Sequence, residues 1–132
     1  MLIPPDPAER QQTIAWLMFQ MGGIGPMFGQ IGFFHKFAGR QIEDKRPRER
    51  YVAESRRLLG VLEGQLKQHA WVAGAEYTIA DIAIFPWVRN LTGYYEAGEL
   101  VGIGDFPQVT RALDAFVARP AVIRGLEIPA PN

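Results

Sequence analysis

The stretch Tyr77-Thr78-Ile79-Ala80-Asp81-Ile82-Ala83-Ile84-Phe85 restricts the fold of this chain more than any other. Thr78 followed three residues later by Asp81 has the form of a capping box, in which a hydroxyl and a carboxylate satisfy two of the amides left unpaired at a helix start. Tyr77 and Ile82 are spaced as the hydrophobic staple that sets the entry angle of the chain. The run Ile82-Ala83-Ile84-Phe85-Pro86-Trp87-Val88 is apolar on every face, and such a helix belongs in the middle of a core. The spacing therefore predicts a self-capped central helix with others packed around it, kinked or weakened near Ile82 by Pro86.

The other elements follow from start and stop signals. Asp6-Pro7-Ala8-Glu9 places a capping side chain, a proline at the first helical position and a first-turn carboxylate in four residues. A helix from Ala8 to about Met21 follows, with Ile14, Leu17, Met18 and Met21 on one face. Gly22-Gly23-Ile24-Gly25-Pro26 is expected to break or kink it before a second short helix through Phe37. Arg40 to Pro47 reads as a loop. Tyr51, Ser55, Leu58, Leu62 and Leu66 then share one face of a helix over about 47–68. Tyr94 to Val101 allows one or two turns, Phe106-Pro107 restarts a helix carrying Val109, Leu113, Phe116 and Val117, and Pro120 ends it. A last turn through Val122 and a tail over 126–132 complete the chain. No segment alternates with period two, so the expected fold is all-α, a bundle of five or six helices in one domain over 1–132.

Composition narrows the function classes. With 132 residues, 48% of them hydrophobic, the chain can bury about two thirds of its unfolded surface. Fourteen basic and fourteen acidic side chains cancel, which argues against a nucleic-acid binder. The absence of cysteine excludes a disulfide framework and a thiolate nucleophile, and fits a cytoplasmic setting. The first residues lack the basic start and apolar run of an export signal. His35 and His69 stand alone, without metal-ligand spacing, so no metal is expected. Gln11 to Phe34 carries no charge and includes Gly25-x-x-x-Gly29, the composition of a dimerising membrane helix. Four glutamines, Gly22-Gly23 and Pro26 argue against that reading, and an uncharged helix at a subunit or domain interface accounts for the same residues. The arginines at 46, 48, 50, 56 and 57 are interleaved with Glu43, Asp44, Glu49 and Glu54, the pattern of a solvated face.

At this point a family resemblance enters. Gly74-x-x-Tyr77-Thr78-Ile79-Ala80-Asp81-Ile82-Ala83 followed by Pro86-Trp87-Val88 resembles the capping-box helix in the C-terminal domain of the glutathione S-transferases. Trp16-Leu17-x-Phe19-Gln20-x-Gly22-Gly23-x-Gly25-Pro26-Met27-x-Gly29-Gln30 is similar to the bacterial branch akin to the Nu class and to the yeast prion protein's transferase domain. Glu49-Arg50-Tyr51 and Phe106-Pro107 with Arg119-Pro120-Ala121 fall in the same order. The stretch between Gln30 and Glu49 is slightly longer than the branch leads one to expect.

The resemblance implies an electrophile-binding helical domain that supports glutathione conjugation, or glutathione-dependent disulfide reduction, together with a thioredoxin-like domain. No such domain is found in this chain, residues 1–6 resemble the interdomain linker, and the chain alone is expected to be inactive. Glutathione is the implied co-substrate. A homodimer, a thioredoxin-like domain in cis or trans, and a small hydrophobic electrophile or disulfide are the implied partners. Arg50 matches the position whose guanidinium reaches the glutathione sulfur, with an ordinary exposed helix arginine as the competing role. Phe33, Phe34 and His35 match the wall of the electrophile pocket, with packing under the following loop as the alternative for the two aromatics. A transferase-like helical module used for protein assembly without catalysis is the other function compatible with the resemblance.

Overall fold

The computed structural model describes residues 1–129, and every element longer than an isolated bridge in that range is helical. Six helices run α1 Pro7–Phe19, α2 Gly25–His35, α3 Arg46–Leu66, α4 Ile79–Arg89, α5 Pro107–Val117 and α6 Pro120–Leu126. The expected all-α bundle is what forms. The tail residues Ala130, Pro131 and Asn132 lie outside the described residues.

Helix starts follow the sequence signals closely. The Asp6 carboxylate accepts from the amides of Ala8 and Glu9, both at 3.0 Å, and Pro7 opens α1 where a missing N–H costs nothing. Proline also stands in the first turn of α2, α3, α5 and α6. Pro120 thus both ends α5 and opens the seven-residue α6.

The glycine-rich stretch behaves differently from the expected break. Gln20–Ile24 winds as a π turn and passes directly into α2, so the extra residue is absorbed by widening the helix. A second π turn, Asn90–Tyr94, extends α4 beyond Arg89. Pro86 lies inside α4, and the α-helical winding continues through it for another turn.

The core gathers Phe28 and Ile31 of α2, Leu58, Leu59, Leu62 and Leu66 of α3, Ile84, Phe85 and Val88 of α4, and Val109, Ala112 and Phe116 of α5. The helix α4 corrects one expectation, because it is not buried on all sides. Ile82 is 41% exposed, and Pro86 and Arg89 on the same stripe are also exposed. The short α6 stands beside this stripe without covering it, leaving an apolar groove of about 440 Å³ lined by Ile82, Pro86, Phe116, Val122 and Leu126. Tyr77 lines the same groove, its ring meeting Trp71 at 5.0 Å between centroids and Phe116 at 6.4 Å. The Arg119 guanidinium sits 3.6 Å over the Tyr77 ring.

Two charged side chains finish helices to which they do not belong. Glu63 of α3 is buried and accepts from the amides of Gln108 and Val109, the unpaired donors that open α5. Arg111 of α5 donates to the carbonyls of Leu66 and His69 at the end of α3. A third charged side chain, Arg56, ties α3 to the loop before α5, donating to the Val101 carbonyl and to Asp105. Its guanidinium fills the space beside Gly102, where φ is +64° and a Cβ would collide with it.

Candidate functional site

The capping box closes at the start of α4, in the middle of the core. Asp81 Oδ2 accepts from the Thr78 amide at 2.9 Å, and the Thr78 hydroxyl accepts from the Ala80 amide at 3.3 Å. The second carboxylate oxygen does something the local pattern does not announce. Asp81 Oδ1 accepts from the Val72 amide at 3.0 Å, so one side chain holds both the helix start and the turn over 71–74. Burial pushes the Asp81 carboxyl above the ordinary range, opposed by the hydrogen bonds from Val72 and Thr78. The segment before α1 and the start of α4 meet here as well, through the Ile79 amide and the Leu2 carbonyl at 3.0 Å.

A separate, open cleft of about 600 Å³ runs along the first half of α3, lined by Met27, Arg50, Tyr51, Ala53, Glu54 and Arg57. The arginines named from the sequence do not share one fate. Arg46 pairs with Asp44 at 2.7 Å, Arg57 with Glu54 at 2.7 Å, and Arg56 with Asp105 at 3.0 Å. Arg48 stands apart, its Nε buried without a hydrogen-bond partner. Among the described residues Arg50 forms no ion pair, and it lies exposed on the cleft wall. The solvated face read from the sequence is therefore made, among the described residues, of three carboxylate pairs, one half-buried side chain and Arg50, which forms no ion pair but lies near enough to Glu54 to help lower its carboxyl.

The three pocket candidates separate. Phe34 stacks on Tyr51 with centroids 5.6 Å apart and planes 23° apart, which brings it next to the Arg50 segment. Phe33 packs edge-on against Phe34 at 4.9 Å while remaining 42% exposed, and the backbone of Gly39 lies against its ring. His35 turns elsewhere, with Nε2 at 3.2 Å from the Glu96 carbonyl. The periodicity of α2 could have separated them, because Phe34 and His35 stand 100° apart on a helix. Neither histidine belongs to a metal-binding group among the described residues, and no described helix is long and apolar enough to cross a membrane.

Tyr51 is the residue that sequence reasoning left on the core face, and the structure gives it a second role as the surface joining Phe34 to the Arg50 cleft. Its inclusion in the matched run Glu49-Arg50-Tyr51 was the available signal. Chemically, the cleft offers an always-charged guanidinium beside an aromatic wall, suited to holding an anion near an apolar group.

Comparison with known proteins places the chain in a family. The profile described as glutathione S-transferase, C-terminal domain, matches residues 46–119. The disulfide-bond oxidoreductase YghU of Escherichia coli is 42% identical over 125 residues, covering 93% of this chain and 43% of that protein. A solved glutathione transferase family member from Pseudomonas fluorescens, with two glutathione molecules bound, superposes with a TM-score of 0.96 at 69% identity, covering 98% of this chain and 57% of its own. The glutathione transferase from Burkholderia graminis, with two glutathione molecules per subunit, gives a TM-score of 0.96 at 70% identity, covering 100% and 55%. The chain spans about half the length of the curated relatives it matches. By a profile match over more than half its residues and by these likenesses, the chain belongs to the glutathione S-transferase family, as a C-terminal helical domain.

Proposed function

We propose that this chain is the substrate-side domain of a glutathione transferase and acts in glutathione-dependent disulfide reduction together with a thioredoxin-like domain. The observation that carries the reading is the free guanidinium of Arg50 on the cleft wall, with every other arginine of that stretch paired or half-buried. The relatives support the choice of chemistry. One is named a disulfide-bond oxidoreductase, and two structures at 69–70% identity hold two glutathione molecules.

A thiol attacks a disulfide only as the thiolate, so the reaction needs a nearby cation that lowers the thiol pKa. Arg50 would serve that role, with Tyr51 and Phe34 as the adjoining apolar wall. Conjugation of a small electrophile uses the same thiolate and remains compatible with the same residues. The uncovered groove between α4 and α6 supports association with a further domain or a second copy, because contiguous apolar surface is costly to leave in water.

The test joins this chain to a thioredoxin-like domain from a relative. Arg50→Ala is expected to raise the pKa of bound glutathione and to lower kcat on the order of 10²-fold, the usual size of one preorganised electrostatic contact. Arg50→Lys should restore part of the rate, since an ammonium lacks the planar fork. Arg46→Ala, already paired with Asp44, is the control. Equal rates and equal thiol pKa in the parent and all three variants would remove Arg50 from the chemistry.

A further inference from the structure

We propose that Lys36 and His35 form a clasp that fastens the tip Gly93–Glu96, between the buried Leu91 and Ala97, onto the end of α2, and that this tip is the part of the domain built to open locally. The two ends of the clasp lie 58 and 61 residues apart in sequence and meet in four contacts made by two adjacent side chains. The Lys36 ammonium donates to the Tyr94 carbonyl, pairs with the Glu96 carboxylate at 3.4 Å and lies 4.7 Å over the Tyr94 ring. His35 Nε2 meets the Glu96 carbonyl at 3.2 Å.

What the clasp holds joins two departures from ordinary helix, of which only the first recurs among the described residues, at Gln20–Ile24. Asn90–Tyr94 is a π turn, a winding seldom adopted without a local reason. Glu96 follows with φ +55°, the one non-glycine residue with positive φ among the described residues. A side chain strains the backbone there, and such a conformation persists only while the surroundings enforce it. Leu91 and Ala97 anchor the two ends in the core at full burial, whereas the enforcing contacts at the tip between them are largely polar and near the surface, since Tyr94 is 59% exposed and the Glu96 side chain 75% exposed. By contrast Leu58, Leu59 and Leu62 of α3 are held by full burial. A segment under strain and fastened mainly by side-chain ties opens at much lower cost than the buried core.

Opening would also release the last turn of α2. Tyr95 lies on Gly32 so closely that a Cβ there would stand 2.6 Å from its ring, and Phe37 packs on both Tyr94 and Tyr95. Phe33 and Phe34 belong to the same turn of α2, so the clasp sets where that wall of the cleft stands. This bearing on substrate rests on the function proposed above; the clasp itself does not.

Hydrogen exchange on the 132-residue chain tests the clasp without any activity. The amides of Tyr95, Glu96 and Ala97 donate to Asn90, Gly93 and Leu91, so their exchange reports the closed segment. In the parent, peptides over 90–97 should exchange on the order of 10²-fold faster than peptides over 58–66. Lys36→Met should speed exchange over 90–97 on the order of tenfold, as expected for losing a charge-assisted tie, and leave 58–66 and the urea midpoint unchanged. His35→Ala should act the same way more weakly, and His35→Gln, which keeps a donor, should restore protection. Unchanged exchange over 90–97 in Lys36→Met would overturn the clasp. So would an equal rise over 58–66, because the side chain would then support the whole fold and not one segment.

Discussion

Asp81 and Glu54 are both helical carboxylates with donors in reach, and the molecule treats them in opposite ways. Asp81 is buried at the start of α4, where loss of water pushes its carboxyl above the ordinary range despite three hydrogen bonds. Glu54 sits on the cleft side of α3, where the hydrogen bonds from Arg57 hold it below that range, with water still around it. Asp44 is lowered in the same manner by Arg46. The two regions teach that a short contact does not measure what a charged group contributes. The decisive quantity is what happens to the partner when the group is removed. Two buried amides lose their only acceptor in one region, and an exposed arginine returns to solvent in the other.

The largest expected effect breaks the comparison at its buried end. Asp81→Ala leaves the amides of Val72 and Thr78 unpaired in the core and should cost about 1–3 kcal/mol in urea unfolding. Thr78→Ala should cost less, about 1 kcal/mol, since only the Ala80 amide is orphaned. A pair of unchanged midpoints would show that the capping box does not organise α4.

A smaller effect sharpens the comparison through pH. A carboxyl raised in the folded state favours folding fully below its unfolded value near pH 4, and that contribution is lost as pH rises through the folded value. The stability advantage of the parent over Asp81→Asn should therefore be greater at pH 4 than at pH 7. Asp44 and Glu54 have the opposite sign, contributing above their unfolded values and losing the contribution as pH falls through their lowered ones. An advantage for Asp81 that grows with pH would mean that its hydrogen bonds outweigh its loss of water.

The smallest expected effect lies at the exposed end. Glu54→Gln should leave the urea midpoint within the scatter of replicate measurements, because Arg57 remains in water after the pair is gone. A clear loss of stability there would erase the contrast between the two regions.

Much of the architecture was legible because its signals are local. Asp6-Pro7, Thr78 with Asp81 and Phe106-Pro107 each announce a helix within a few residues of where it begins. The ties made across the molecule had no such signal. Glu63 caps α5 from 45 residues away, Arg111 finishes α3 from the same distance, and Asp81 reaches Val72 across a turn. A period of 3.6 residues records which face is apolar, and it does not record which distant backbone end a polar side chain will satisfy. The same limit produced the misreading of α4. Ile82 and Pro86 look like core residues, and the seven-residue α6 stands beside them without covering them.

The candidate site was legible to a lesser degree. Arg50 stood out through resemblance, but its freedom from ion pairing depends on where Arg56 and Arg57 go, and Arg56 reaches Asp105 across 49 positions. Phe33, Phe34 and His35 are consecutive in sequence, yet they divide between two neighbourhoods because the helix turns between them.

The contact between Leu2 and Ile79 has a mechanical meaning. The Leu2 carbonyl receives the first amide of the central helix, so the amino-terminal segment is moored beside the Thr78–Asp81 capping box. The direction in which the segment over 1–6 leaves the bundle is therefore tied to the start of α4, the helix around which the others pack.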